Sequence, residues 1–466
     1  MFNRGDIVEN LEITGFASEG KAIARVENLV VFVENAVPGD IGDVSIYRKK
    51  KNFAEGRLIN LKKPSIDRTE PFCQHFGTCG GCKWQHLTYE KQLIYKQQQV
   101  IDAFERIGHL ELSSISPILG SANTTFYRNK LEFTFSNKSW LTKDEMTNPE
   151  SNDSPALGFH VPQRFDKVLD IKKCYLQDEI SNEIRLAVKD FCFENNQSFF
   201  DLKIQNGEMR NLIIRNTTAG EWMVIVVFHE DVKDAREKLL KYLIAKFPII
   251  SSLSYIINTK KNDTISDLDV IIFHGKDFIL EKMESLTFRI SAKSFYQTNS
   301  LQAYELYKVA RNFAGLTGNE IVYDLYTGTG TIAAFVSSQA SKVIGIDYVE
   351  DAINDARQNS IDNNLQNLSF FAGDIKMVLD DKFILDNGKP DIIITDPPRA
   401  GMHEDVVKKI IDAAPEKIVY ISCNPSTQAR DIQLLNEYYS ISNVQPVDMF
   451  PHTSHVENVV QLLKKK

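Results

Sequence analysis

Two short segments of this chain carry residue types that do covalent chemistry. One is Asp396-Pro397-Pro398-Arg399-Ala400-Gly401, and the other is Ser422-Cys423-Asn424-Pro425 at the end of the apolar run Lys417 to Ile421. A thiol at one strand end, near a carboxylate at another, suits nucleophilic attack on a substrate base. Upstream, Asp324-Leu325-Tyr326-Thr327-Gly328-Thr329-Gly330-Thr331 closes a third apolar run. Its glycines Gly328 and Gly330 let backbone approach a nucleoside, and Asp347, ending the next run, is placed to accept hydrogen bonds from ribose hydroxyls. Gly-x-Gly alone is a weak signal, and a dinucleotide site wants a third glycine where Ala333 stands. Asp-Pro-Pro-Arg has no part in hydride transfer. It is the kind of loop that S-adenosylmethionine enzymes place beside the methyl donor and the target base.

The cysteines form a second constellation. Cys73-x5-Cys79-x2-Cys82 lies in a loop with Gly77, Gly80 and Gly81, and Cys174 is the best candidate for a fourth soft ligand. Four thiolates suit zinc or an iron–sulfur cluster, and the spacing leaves both open. Cys192, inside Phe191-Cys192-Phe193, reads as a core residue.

The elements that must position these groups follow from periodicity. Short β-type runs at 7–13, 21–26, 29–33 and 42–46, broken by glycines and Pro38, predict a small OB-like barrel over residues 1–65. Residues 66–290 mix the cysteine loop, a helix over 89–107 and strands at 212–215 and 223–227, and thus predict a central α+β domain. Segment 136–156 is polar and has the profile of a surface insertion. From 291 to 466 the pattern alternates. Apolar runs at 321–325, 343–347, 368–371, 391–395, 417–422, 442–444 and 456–463, with helices such as 349–363 and 404–413, predict an α/β fold with a doubly wound, Rossmann-like sheet. Ligands then bind beyond the carboxyl ends of its strands.

Composition excludes some classes. A chain of 466 residues exceeds one ordinary core, and its 43% hydrophobic and 25% charged residues are those of a soluble globular protein. No run approaches the ~18 apolar residues of a membrane helix, and the opening residues carry no signal-peptide core. A cytoplasmic, monomeric enzyme is expected. The net charge of −8 argues against a basic coat. Between residues 45 and 68, however, eight basic residues (Arg48, Lys49, Lys50, Lys51, Arg57, Lys62, Lys63, Arg68) face only Glu55 and Asp67. A basic stretch beside such a barrel suits RNA phosphates.

Taken together, Asp396 to Gly401, Val419-Tyr-Ile-Ser-Cys-Asn-Pro-Ser-Thr427 and Met449-Phe-Pro-His-Thr-Ser-His-Val-Glu457 closely resemble the RNA uracil-5-methyltransferase family. Tyr127-Arg128-Asn129-Lys130 and Ser294-Phe295-Tyr296-Gln297 match its pattern too. The barrel looks like that family's TRAM domain, and the cysteines resemble the four-iron cluster motif of its ribosomal RNA members. The resemblance implies an S-adenosylmethionine-dependent enzyme with a 4Fe-4S cluster on Cys73, Cys79, Cys82 and Cys174. It implies that Cys423 attacks uracil C6 and that Glu457 removes the C5 proton. It also implies that Gln297, Tyr326, Asp347, Asp374 and Asp396 contact S-adenosylmethionine, that the helix near 90–108 packs with the catalytic domain, and that the substrate is RNA, 23S ribosomal RNA above all. The family commonly has Glu where Asp347 stands, and an Asp still reaches ribose hydroxyls. His452 and His455 are left as structural or RNA-contacting. Two rival readings are a radical S-adenosylmethionine enzyme, which needs Cys-x3-Cys-x2-Cys, and a non-catalytic RNA-binding factor, which has no need of Cys423 and Glu457. Transfer RNA is the alternative substrate.

Overall fold

The computed structural model describes residues 3–17, 20–112, 114–141, 154–162 and 164–466. Residues 142–153 of the expected insertion lie outside the described residues. Among the described residues no helix is long and apolar enough to cross a membrane.

Five strands, β1 (Ile7–Phe16), β2 (Ala22–Val26), β3 (Leu29–Glu34), β4 (Ile41–Lys49) and β5 (Phe53–Lys63), close into a barrel of order β1-β2-β3-β5-β4. Period-two alternation sends Leu11, Ile13, Ala24, Val31, Val44 and Ile46 inward. The sequence pattern predicts four strands here, and β5 is the addition. Its second half faces solvent and Gly56 interrupts its apolar run, which hides it. A Cβ at Gly56 would lie 2.6 Å from Val44 Cγ1 and 2.9 Å from the Ser45 carbonyl oxygen, so close strand approach requires the glycine.

Helix α1 (Tyr89–Arg106) follows. The strands β6 (Lys130–Ser136), β7 (Ala156–Val161), β8 (Arg164–Asp170), β9 (Met209–Asn216), β10 (Trp222–Phe228), β11 (Ile250–Ile257) and β12 (Ile271–Gly275) form one sheet of order β12-β11-β10-β9-β6-β7-β8. Helices α2 (Glu179–Glu194) and α3 (Lys233–Lys246) cover one face, burying Ile184, Val188, Leu239 and Leu243. Cys192 is buried in that core. The opposite face turns Ile213, Met223, Ile225 and Val227 into a core shared with the carboxyl-terminal part of the chain. Both faces being covered explains why β10 is buried at every position.

A hairpin, β13 (Phe278–Met283) and β14 (Leu286–Ser291), and helix α4 (Ser300–Ala314) lead into the last sheet. In chain order this part comprises β15 (Ile321–Leu325), α5 (Thr331–Ser337), β16 (Lys342–Asp347), α6 (Glu350–Asp362), β17 (Leu368–Ala372), α7 (Ile375–Val378), α8 (Asp381–Asn387), β18 (Ile392–Thr395), α9 (Glu404–Ala413), β19 (Lys417–Ser422), α10 (Pro425–Leu435), β20 (Tyr439–Val447) and β21 (Glu457–Lys464). The sheet order is β17-β16-β15-β18-β19-β21-β20. Its first five members run parallel, while β21 is antiparallel to β19. That reversal matters. It brings the amino end of β21 to the same edge as the carboxyl ends of β15, β16, β18 and β19.

One face of this sheet packs on α4, α5 and α6 through Ala303, Leu306, Phe335 and Ile353. The other is covered by α9 and α10, and also by α1, whose Val100, Ala103 and Phe104 share a core with Tyr420, Ala429 and Ile432. A helix placed before the central sheet in sequence is thus a layer of the last one.

Candidate active site

The strand edge is shaped first by the turn after β15. Asp324 is wholly buried and accepts the Thr327 hydroxyl at 2.5 Å and the Ala333 N–H at 3.1 Å. Burial and the nearby Asp347 charge push its carboxyl up to about 7. Tyr326, at φ 63°, and Gly330, at φ 75°, both take the left-handed backbone that turns the chain from strand into α5. A Cβ on Gly330 would stand 2.8 Å from the Phe370 ring and 2.9 Å from Ala356 Cβ. By contrast, a Cβ on Gly328 would meet nothing within 4 Å. Open space therefore lies over Gly328.

Asp347 ends β16 and accepts N–H bonds from Gly328 and Val349, each at 2.9 Å and each on a different oxygen. Every oxygen keeps a lone pair for a further donor. Burial first, then the charges of Asp431, Asp374 and Asp347, push the Tyr326 phenol up to about 12, which puts these groups around one wall. Asp374 caps α7 through the Lys376 N–H at 3.2 Å. Gln297 is half-buried, and its carbonyl accepts from Asn129 Nδ2 at 2.9 Å, while that same amide donates to Ser300 Oγ at 2.8 Å.

The second half of the site lies one and two strands along. The β19–β21 ladder pairs Ser422 with Asn458, so the next step outward sets Cys423 across from Glu457. Asp396 follows β18, whose last pairing is Thr395 with Tyr420, so the register sets it level with Ile421, two residues before Cys423. Glu457 is 4% exposed, and burial together with the Asp396 charge pushes it up to about 8. Asp396 is pushed up to about 7 by burial and Asp324. Burial and the carboxyls of Glu457 and Asp396 raise the half-buried Cys423 thiol to about 11, against an opposing pull from Arg399, which also hydrogen-bonds it. The Arg399 guanidinium thus faces the Cys423 thiol and the Glu457 carboxyl in a desolvated edge.

Local bonds hold this geometry. Asn424 caps α10 through the Ser426 N–H, a cap that contributes about 1 kcal/mol. Its Nδ2 donates to the Arg399 carbonyl at 3.0 Å, and Thr427 Oγ1 donates to the same oxygen at 3.2 Å. The cysteine turn and the Asp-Pro-Pro-Arg loop are therefore stapled together. Arg399 Nη2 also approaches His455 Nδ1 at 3.4 Å, and burial with the adjoining cations lowers that imidazole to about 4. His455 is neutral.

Sequence reasoning passed over two residues here. Asp431 in α10 is buried, accepting the Met402 N–H at 2.7 Å, the Tyr420 hydroxyl at 2.6 Å and Arg430 Nη2 at 2.6 Å, and so anchors the end of the Asp396 loop. Its faint signal was an acid spaced three and four residues from Gln428 and Leu435 on the buried side of the helix, a spacing that surface acids also show. Tyr307 of α4 is buried, and its phenol is raised by burial and then by Asp396, Tyr296, Asp324 and Glu457. It lies under the acidic edge with no sequence signal beyond helical spacing.

The four cysteines line a separate cavity of about 850 Å³ together with Arg128, Phe159, Pro162 and Lys173. Burial raises all four thiols, Cys79 to about 11 and Cys82 to about 12. Several N–H groups point at the sulfurs, among them Gly81 N to Cys79 Sγ at 3.5 Å. Among the described residues no group of three or more His, Cys, Asp or Glu is gathered closely enough to hold a metal ion.

Known proteins share these features. A family model for tRNA (uracil-5-)-methyltransferase matches residues 210–466, and one for the TRAM domain matches residues 6–59. A Bacteroides thetaiotaomicron protein described as an uncharacterized RNA methyltransferase is 59% identical over 450 residues, covering 96% of this chain and 99% of the relative. A Porphyromonas gingivalis protein of the same description is 55% identical, covering 97% and 99%. The tRNA (uracil-54, C5)-methyltransferase of Pyrococcus abyssi, solved with S-adenosyl-L-homocysteine, superposes with a TM-score of 0.75 at 28% identity, covering 97% of this chain and 99% of that one. With a family model over more than half its length and relatives of this identity over nearly all of it, the chain belongs to the tRNA (uracil-5-)-methyltransferase family and is an S-adenosylmethionine-dependent RNA methyltransferase carrying a TRAM domain.

Proposed function

We propose that this protein methylates C5 of a uridine in folded RNA through a covalent adduct on Cys423. The observation that carries the reading is the Cys423 thiol one ladder step across from the buried Glu457 carboxyl, with Asp396 and Arg399 beside both. Uracil C5 is too weak a nucleophile to take a methyl group unaided. Addition of Cys423 Sγ to C6 forms an S–C6 bond and moves the C5–C6 π pair towards C5 and O4, dividing a difficult step into easier ones. Arg399 favours the thiolate for that addition. S-adenosylmethionine, when bound, supplies the methyl that C5 takes up. Gly328 offers it open space, Asp347 keeps free lone pairs for its ribose, Tyr326 and Asp374 stand near Asp347, and the family resemblance assigns Gln297 and Asp396 to it as well. Glu457 then accepts the C5 proton, the C–H pair returns as the C5–C6 double bond, and the S–C6 bond breaks to free the thiolate. A carboxyl raised to about 8 is a stronger base than an ordinary Glu. The target base must be splayed out of its stack to reach this edge.

The four cysteines hold a 4Fe-4S cluster in this reading. A half-open cavity lined by all four cysteines, N–H groups aimed at sulfur and the nearby Arg128 and Arg185 suit a thiolate-bound group, whose metal charge would offset the desolvation that raises the free thiols. 23S ribosomal RNA is the expected substrate, supported by the cysteine set together with the barrel. Transfer RNA is the second reading, favoured by the Pyrococcus abyssi tRNA enzyme, whose match spans 97% of this chain, so the barrel by itself does not separate the two.

The test is methyl transfer from S-adenosylmethionine to transcribed 23S ribosomal RNA and to transfer RNA, followed by nucleoside analysis. 5-Methyluridine in one of them is expected and names the substrate. A methylated nucleoside other than 5-methyluridine would contradict the proposal.

A further inference from the structure

Three polar residues of α1, Tyr89, Gln92 and Lys96, are spaced to share one helix face, and that face grips the segment leading into Glu457. Lys96, wholly buried, donates to Asp448 Oδ1 at 2.6 Å and to the Phe450 carbonyl at 3.0 Å, while the Tyr89 hydroxyl donates to Asp448 Oδ2 at 2.9 Å. Gln92 is also wholly buried, and its amide is fully used. Its Nε2 donates to the carbonyls of Trp84 at 3.0 Å and Leu87 at 2.9 Å and lies 3.1 Å from His452 Nδ1, while its Oε1 accepts the His452 N–H at 2.8 Å. The His452 carbonyl in turn accepts the N–H groups of Lys83 and Trp84, the two residues after Cys82, at 2.9 and 3.0 Å.

His452 itself stands at φ 64°, a backbone state that a non-glycine residue holds only when its surroundings impose it. Buried polar groups are costly unless satisfied, and a satisfied network holds one geometry. Glu457 begins β21 five residues further on, and its position decides whether a carboxyl oxygen reaches the C5 proton.

We infer that Gln92 is a positioning residue for the elimination step: it locks His452 to the segment after the cysteine loop and so sets the approach of β21 that aims Glu457. The inference rests on the covalent reading of Cys423 and Glu457 given above, and on no charge state of either. It separates two half-reactions. Attack by Cys423 depends on the β19 turn and the Arg399 loop, which Gln92 does not touch and which the Asn424 and Thr427 bonds to the Arg399 carbonyl hold apart from the long Arg399–His455 contact at 3.4 Å. Elimination depends on Glu457.

The experiment compares the wild-type holoenzyme with Gln92→Met, which keeps the shape and removes the amide, and with Gln92→Glu, which keeps the oxygen receiving the His452 N–H but turns a carboxyl oxygen towards the Trp84 and Leu87 carbonyls. Amide hydrogen exchange is expected to speed about tenfold or more at Lys83, Trp84 and residues 452–457 in both Gln92→Met and Gln92→Glu, with S-adenosyl-L-homocysteine affinity within about twofold. On ordinary substrate RNA, turnover falls about tenfold and a denaturation-resistant protein–RNA adduct accumulates, while adduct formation on 5-fluorouridine RNA stays within about threefold of wild type. Unchanged exchange at 452–457, or equal slowing of adduct formation and turnover, would overturn the inference. A wild-type protein that forms no adduct would instead sink the covalent reading, and the exchange result alone would then decide whether Gln92 holds this segment.

Discussion

Three acidic groups, Cys423, Glu457 and Asp396, crowd one desolvated edge, and the Arg399 guanidinium offsets the first two. They titrate as a set, so each proton lost makes the next harder to remove. Glu457 gives a stability prediction with a definite sign. Its pKa is raised from 4.5 to about 8 in the folded state, so its contribution is present below about 4.5 and is lost as pH rises through about 8. The melting temperature of the ligand-free protein should therefore fall across that window. Glu457→Gln removes the ionisation and should flatten the fall, melting a few degrees higher than wild type at the alkaline end; calorimetry at a series of pH values checks it. An unaltered pH profile would show that Glu457 ionises as an ordinary surface acid. The resemblance pointed to Glu457, and its place among Val456, Val459 and Val460 argued against an ordinary surface acid, which its burial bears out. Tyr307 and Asp431 were not legible. Each sits on a helix at a spacing that ordinary core or surface residues also adopt, and only the tertiary fold brings them beneath the Asp396 loop.

At the scale of elements, strands and loops divide the labour. All seven strands of the last sheet were legible, since fully apolar runs between amphipathic helices leave few alternatives. Their order was not, and the order is what matters: antiparallel β21 between β19 and β20 carries Glu457 back to Cys423. The barrel shows the converse. Its basic stretch was legible as charge, yet the fold pairs Arg48 with Glu55, Arg57 with Glu34, Lys62 with Asp43 and Arg68 with Asp40. Among the described residues, Lys49, Lys50, Lys51 and Lys63 have no such partner, so the RNA-facing charge is smaller than the count implied. Replacing Lys49, Lys50 and Lys51 together by Ala should weaken RNA binding and reduce the salt dependence of log K by about 2, at ~0.7 per phosphate contact to single-stranded RNA, with melting unaffected. Binding titrations at several salt concentrations measure this. An unchanged slope would remove the stretch from the RNA interface.

The whole molecule is less modular than its sequence segments suggest. The central sheet shares a core with the last sheet through Ile213, Met223 and Ile225, and α1 forms part of the last sheet's outer layer while bonding the segment before β21. Periodicity finds elements and not their partners, which is why this sharing was beyond its reach. The cysteine cavity lies where these parts meet, since the residues after Cys82 bond His452. Anaerobically purified protein should be brown and contain iron and acid-labile sulfide, and Cys82→Ser should lose both and melt earlier; one zinc and no sulfide would overturn the cluster assignment. The central claim, that Cys423 forms the covalent bond to the base, is tested most directly by peptide mapping after reaction with S-adenosylmethionine and 5-fluorouridine substrate RNA, where Glu457 has no C5 proton to remove. A stable nucleotide adduct is expected on the peptide containing Cys423 and none in Cys423→Ala. An adduct that persists in Cys423→Ala, or no adduct on an RNA that the protein demonstrably methylates, would contradict it.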